Sequence, residues 1–257
     1  MAIPFILFAI ALVVRIATAA LFPEPAYPDS YYYVNVAREL ASGGGFSVDF
    51  IWNFVEVGGT LPKTGELPIP SNAHWMPLAA VVQVPFIWLL GQTALASGLP
   101  FWLAAAATAP LTYFIGRDAG MPDWQAGAAG FLVAMPAAVS PFLGQPDNFG
   151  LFIFLGSLAL WLCARGLRGH KGSFALGGVV VGLAFLSRND GVLLGVPFAL
   201  AFVHDLLRRP RLSRIGWWPA IACAAGFLLV ASPWLLRQLD VFGAISPSSV
   251  GGRILFI

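Results

Sequence analysis

The chain has 257 residues, 58% of them hydrophobic and only 10% charged, with a formal net charge of +2 and a mean hydropathy of +0.80. A soluble domain carries roughly a quarter charged residues, so the composition excludes an ordinary soluble protein. The basic residues sit beside apolar segments, as topology signals do, and not in the clustered stripe of a nucleic-acid-binding protein.

The apolar residues fall in runs near the roughly 20 residues that cross a hydrocarbon core, without the short alternating segments of a membrane β-barrel. The expected fold is therefore an all-α, polytopic transmembrane helical bundle. Its first span is Ile3–Phe22, read as retained and not cleaved as a signal peptide. A polar region, Pro23–Trp75, follows and holds six of the twelve carboxylates. Within it a helix over Asp29–Ala41 opens at Pro28-Asp29 and ends at Gly43-Gly44-Gly45. Gly58–Ser71 reads as loop. Pro77–Leu90 is apolar but short and contains Pro77 and Pro85, which points to a re-entrant or interfacial segment. Six further spans are expected at Leu95–Gly116, Gln125–Leu143, Phe149–Ala164, Phe174–Leu186, Gly191–Leu207 and Trp217–Leu235. Cys163 and Cys223 lie inside apolar segments and suggest no disulfide framework.

Charge sets the orientation. Eight of the fourteen Lys and Arg lie in three short loops: Arg117; Arg165, Arg168 and Lys171; and Arg208, Arg209, Arg211 and Arg214. Those loops should be cytoplasmic. With seven spans, the long first loop, the Gly144–Asn148 turn, Ser187–Asp190 and the tail after Leu235 share the outer face. That face then holds nine of the twelve carboxylates. An eight-crossing arrangement would place the long loop inside; the shortness and prolines of Pro77–Leu90 favour seven. The organisation expected is one module, 1–257, with the first span at 1–22 and an outer loop with juxtamembrane helices at 23–94. Six spans over 95–235 follow, and 236–257 begins a further outer loop.

Two carboxylates stand at membrane boundaries of that face. Asp29 opens a helix beside Tyr31-Tyr32-Tyr33, and Asp147 lies in a turn between spans. Each could simply cap its helix. Together they could act as a general base and its partner, or share a divalent cation such as Mg or Mn. His74, Arg188 and Arg237 reach the same face; Asp190 could pair with Arg188, and Arg237 could merely anchor its helix. Tyr31 and its neighbours suit a membrane interface or a wall that stacks sugar or lipid. Arg15 lies within a span, where a charge is costly and suggests function. Cys163, His204 with Asp205, and His170 are assigned to packing, interface or solvent.

The order of these motifs resembles a family. A first span is followed by the Pro-Asp-x-Tyr-Tyr helix and a glycine run. His74-Trp75-Met76-Pro77-Leu78 then precedes a short apolar helix. Asp147 in the second outer turn, Ser187-Arg188-Asn189-Asp190-Gly191, and Pro233-Trp234 with Arg237 complete the set. Together they look like the N-terminal membrane module of GT-C glycosyltransferases, near protein O-mannosyltransferases and aminoarabinose transferases. The resemblance implies a polyprenyl-phosphate sugar donor, an acceptor that is a glycan, lipid or protein, and inversion at the anomeric carbon. It implies Asp29 as catalytic base and Asp147 as the second acidic position, supporting the acceptor or a metal. It also implies donor-phosphate contacts from His74, Arg188 and Arg237, with Tyr31 beside them. The site would face outward from a bacterial inner membrane. Family members usually continue with more spans, so a truncated or a minimal module is expected. The competing readings are a transporter or channel, and a non-catalytic lipid-binding scaffold.

Overall fold

A computed structural model describes residues 2–22, 25–52, 63, 66–208 and 215–245. Helix α1 is Ala2–Leu21, α2 is Pro28–Ser42, and a two-residue ribbon pairs β1 (Ser47–Val48) with β2 (Ile69–Pro70). Two short helices follow, α3 (Leu78–Val81) and α4 (Val84–Leu90), then α5 (Ala94–Asp118). Next come α6 (Asp123–Ala134) and α7 (Ser140–Gly144), α8 (Asn148–Leu167) and α9 (Lys171–Ser187). A 3₁₀ segment, Asn189–Leu194, runs into α10 (Gly195–Arg208), and α11 (Trp217–Phe242) ends the described chain. The all-α expectation is met: the protein is an integral, multi-pass helical bundle. Half of Gly58–Ser71 lies outside the described residues, as do Arg209, Arg211 and Arg214 of the last basic loop.

Among the described residues five helices are long and apolar enough to cross a bilayer, and six if α6 and Ala137–Gly144 form one bent span, against the seven expected. The remaining rod, α9, has 17 residues and is about 26 Å long, short of a core roughly 30 Å thick. It is nonetheless central, packed between α8 and α11. Glycines allow that approach: a Cβ on Gly178 would collide with the Cys223 carbonyl, and one on Gly182 would come within 2.8 Å of Val230. With no hydrophobic force between helices in lipid, small residues at such contacts let dispersion between backbones hold the pair.

The expected continuous span Gln125–Leu143 is corrected. It breaks after Ala134, with α6 and Ala137–Gly144 bent by 46°. Pro136 has no N–H to continue the helix and disfavours helical geometry at Met135, which sits at φ −115°, ψ 67°. Pro77–Leu90 resolves into α3 and α4, with the break at Val82–Gln83. Pro85 stands in the first turn of α4, where a missing N–H costs nothing. This segment docks on α2: Gln83 Nε2 donates to the carbonyls of Ala79 (2.8 Å) and Tyr33 (3.4 Å), and Trp88 Nε1 to that of Ala41 (2.9 Å).

The rods alternate in direction. Ile3 and Leu7 of α1 lie against Gly127 and Gly130 of α6, so both helices start at one end of the bundle. Arg117, Arg165, Arg168, Lys171 and Arg208 stand at helix ends on that side, where Asp118 lies within 4 Å of Arg165 and Arg168. Asp29, Asp147, Arg188 and Arg237 stand at helix ends on the other side.

Candidate active site

The sequence around Asp29 builds a helix start. Tyr27 is extended (φ −148°, ψ 165°), Pro28 takes the first helical position, and Asp29 falls in the first turn. The cap position is thus Tyr27, and the possible capping role of Asp29 is corrected. A carboxylate in a first turn gains only from the exposed amides and the helix dipole. At the other end of α2, Gly43 adopts φ 89° and its N–H bonds the Leu40 carbonyl.

Asp147 does cap its helix. It is extended before α8, and its Oδ1 accepts the amide of Asn148. Its Oδ2 accepts the Tyr27 hydroxyl at 2.7 Å, across 120 residues of sequence. Gln145 fixes the same junction from both sides: its Oε1 accepts the Ala26 amide at 2.9 Å and its Nε2 donates to the Phe22 carbonyl at 3.2 Å. Trp102 Nε1 holds the Gly144 carbonyl at 2.9 Å. The turn carrying Asp147 is therefore tied directly to the segment carrying Asp29, and the two carboxylates share one locale.

Their electrostatics follow. Burial, and then the Asp147 charge, raise the Asp29 carboxyl above its ordinary value. Burial also raises Asp147, against the opposing effects of Tyr27, the Asn148 amide and Arg188. Among the described residues neither carboxylate is in an ion pair within 4 Å. Tyr33 is fully buried beneath them, its hydroxyl 3.5 Å from Asn148 Nδ2. Burial and the two carboxylates hold the Tyr33 phenol neutral.

Arg188 reaches this cluster but is shared. Its Nε and Nη2 bind Asp190 at 3.1 and 3.2 Å, and its guanidinium covers the Phe152 ring at 5.3 Å. Arg237 is engaged elsewhere: Nη2 donates to the carbonyls of Ser71 (2.8 Å) and Phe46 (3.2 Å), above the Phe46 and Trp234 rings. Beside it Gln238 Nε2 holds the Asn72 carbonyl at 2.9 Å, so the end of α11 clamps the first loop. His74 is half-buried against Trp75, whose ring packs on Tyr33; burial lowers the imidazole below its ordinary value. Tyr31 is 54% exposed and faces away from the buried Tyr32 and Tyr33.

The structure thus gathers Asp29, Asp147 and Arg188, sets His74 at the edge, and leaves Arg237 and Tyr31 outside the cluster. Sequence reasoning missed Tyr27, Gln145 and Asn148, and assigned Tyr33 to a stacking wall where the structure buries it. Polar residues flanking an acid at a membrane boundary were the available signal, since there they have few partners but each other.

Among the described residues no three His, Cys, Asp or Glu side chains converge as a metal site. Both Asp147 oxygens already accept hydrogen bonds. Mg²⁺ takes one or two carboxylates and completes its shell with water and substrate phosphate, so Asp29 and Asp147 are the side chains that would hold such an ion.

Residues 74–236, more than half of the chain, match the family described as dolichyl-phosphate-mannose-protein mannosyltransferase. The chain belongs to that family. It is a mannosyltransferase-like glycosyltransferase of the GT-C type, as its motif order implied. The match includes His74, Asp147 and Arg188; Asp29 precedes it and Arg237 follows it by one residue. No curated protein and no solved structure matches the chain.

Proposed function

We propose that this GT-C enzyme transfers a sugar from a polyprenyl-phosphate donor to an acceptor hydroxyl, with inversion, and that Asp29 is the general base. The observation that carries the reading is the paired, unbridged acids, Asp29 tied to Asp147 through Tyr27 and Gln145. A half-buried carboxylate beside a second negative charge is a stronger base than one in water.

In the proposed step Asp29 takes the acceptor proton as the acceptor oxygen bonds the anomeric carbon. The bond from that carbon to the phosphate oxygen breaks, and its electron pair leaves on the polyprenyl phosphate. Asp29 then releases its proton to solvent. Asp147, held by Tyr27 and the Asn148 amide, orients the acceptor. Arg188, the cation nearest the acids, and His74 at the rim face the leaving phosphate. Arg237 holds the Phe46 and Ser71 carbonyls of the first loop against α11, and Tyr31 offers an aromatic face to the donor lipid at the membrane boundary. No step runs through a metal. The sugar-bearing side faces outward from the membrane, away from the basic loops.

The test is stereochemical. A donor of known anomeric configuration on polyprenyl phosphate, incubated with the protein and a hydroxyl acceptor, should yield product of the opposite configuration by NMR. Retained configuration would require a covalent sugar–enzyme intermediate and overturn the assignment of Asp29 as a base.

A further inference from the structure

We infer that Arg15 is a positioning residue: from inside the first span it fixes the break between α6 and α7, and so the register at which Asp147 faces Asp29. The inference rests on the reading of those acids as the reacting pair.

Arg15 is fully buried within α1. A charge in the middle of a span is retained only with partners, and its partners are specific. Nη2 donates to the Val133 carbonyl at 3.2 Å and Nη1 to the Ala134 carbonyl at 3.4 Å. These are the last carbonyls of α6, where Pro136 and the non-helical Met135 leave no amides to continue the ladder. The guanidinium replaces those amides and places positive charge at the negative end of the helix. The break frees acceptors for the buried guanidinium, and the guanidinium supplies their donors.

The contact is the first rung of a series. Thr18 Oγ1, three residues on, lies 3.2 Å from Ser140 Oγ at the start of α7. The Phe22 carbonyl, four residues further, receives Gln145 Nε2 at 3.2 Å. A spacing of three puts Arg15 and Thr18 on one face of α1, and the Phe22 carbonyl follows just past its end. That face reads along the bent span from Val133 to Gln145, and its last rungs are Ala26 to Gln145 and Tyr27 to Asp147. Arg15 touches neither acid; it acts by setting where α7 starts.

The experiment reads Asp29 without needing catalysis. Dicyclohexylcarbodiimide labels protonated carboxyls in membranes, and mass spectrometry of the full chain in lipid nanodiscs gives the labelling midpoint of Asp29 against pH. The groups facing Asp29 are Asp147 at the α8 cap and Tyr27 and Tyr33 on the α2 side; Arg188, after α9, faces Asp147. Asp147→Asn should lower the proton affinity of Asp29 about tenfold by removing a like charge. Arg15→Gln should lower it in the same direction by letting Asp147 withdraw, and should add nothing in the Asp147→Asn background. An unchanged midpoint in folded Arg15→Gln, or a shift fully additive with Asp147→Asn, would overturn the inference. If Arg15→Gln does not fold, Thr18→Val removes the second rung; a smaller shift in the same direction supports the inference, and no shift overturns it. Labelling speaks to the geometry alone, whereas a fully active Asp29→Asn would sink the catalytic reading instead.

Discussion

At the scale of the residue, the site depends on what Asp29 and Asp147 do to each other. Asp29 is half-buried and faces a second acid without an arginine or lysine bound to it, so its carboxyl is raised by burial and then by Asp147. As the proposed base, Asp29 would be inactive until it ionises, and its raised value would set the acid limb of the rate profile. Asp147→Asn removes the like charge while keeping an acceptor oxygen for the Asn148 amide; its NH2 then donates to the Tyr27 hydroxyl oxygen, reversing that bond. The acid limb of kcat/KM should therefore move to lower pH, and kcat should also fall if Asp147 orients the acceptor. A limb that stays in place, or moves up, would separate the two acids. Legibility at this scale was uneven. Both acids stood out because charge is rare at a membrane boundary, but their meeting rests on Gln145 and Tyr27, whose bonds span about 120 residues. Arg188 and Arg237 illustrate the same gap: the local partner, Asp190, could be read from a spacing of two. The Phe46 and Ser71 carbonyls that hold Arg237 could not, because they belong to a loop folded back onto α11.

At the scale of the element, hydropathy found the rods but not how they break. The run Gln125–Leu143 is apolar throughout, and its bend comes from Pro136 together with the buried guanidinium that satisfies the carbonyls before it. A window average cannot register either, because one is a single missing N–H and the other lies on a different helix. The contact of α9 with α11 likewise depends on side chains that are absent. Gly178→Ala would drive a methyl into the Cys223 carbonyl, a backbone atom that can yield only if the helices part. The expected cost is about 1–3 kcal/mol or more, as for other overpacked interiors. It should appear as a lower Tm in detergent and as loosened packing of Arg188, which follows directly after α9. The control is Gly172→Ala on the same helix, where a Cβ meets open space; it should leave Tm nearly unchanged. Equal Tm values for both variants would contradict the packing described.

At the scale of the whole molecule, the bundle alternates so that basic helix ends gather on one side and the acid pair on the other. That separation was the most legible feature of the sequence, since it follows from where arginines and lysines fall between apolar runs. It predicts sidedness. Ser42 is exposed at the end of α2, so Ser42→Cys should react with a membrane-impermeant maleimide added to intact cells. Cys163 and Cys223, within apolar helices, should remain unlabelled. Labelling of Ser42→Cys only after permeabilisation would put the acids on the cytoplasmic side and reverse the proposed orientation. The fold class and the family follow from patterns distributed over the whole chain, whereas the catalytic assignment rests on Asp29 alone. The direct measurement is therefore sugar transfer from a polyprenyl-phosphate donor by wild type and Asp29→Asn, beside their thermal unfolding. A carboxyl whose value is raised on folding lowers stability as pH rises through that raised value, because the unfolded chain ionises more readily. Asp29→Asn should then unfold at the same or a higher temperature at neutral pH while transfer drops by about 10²–10⁴-fold. Wild-type transfer rates in a folded Asp29→Asn protein would contradict the account.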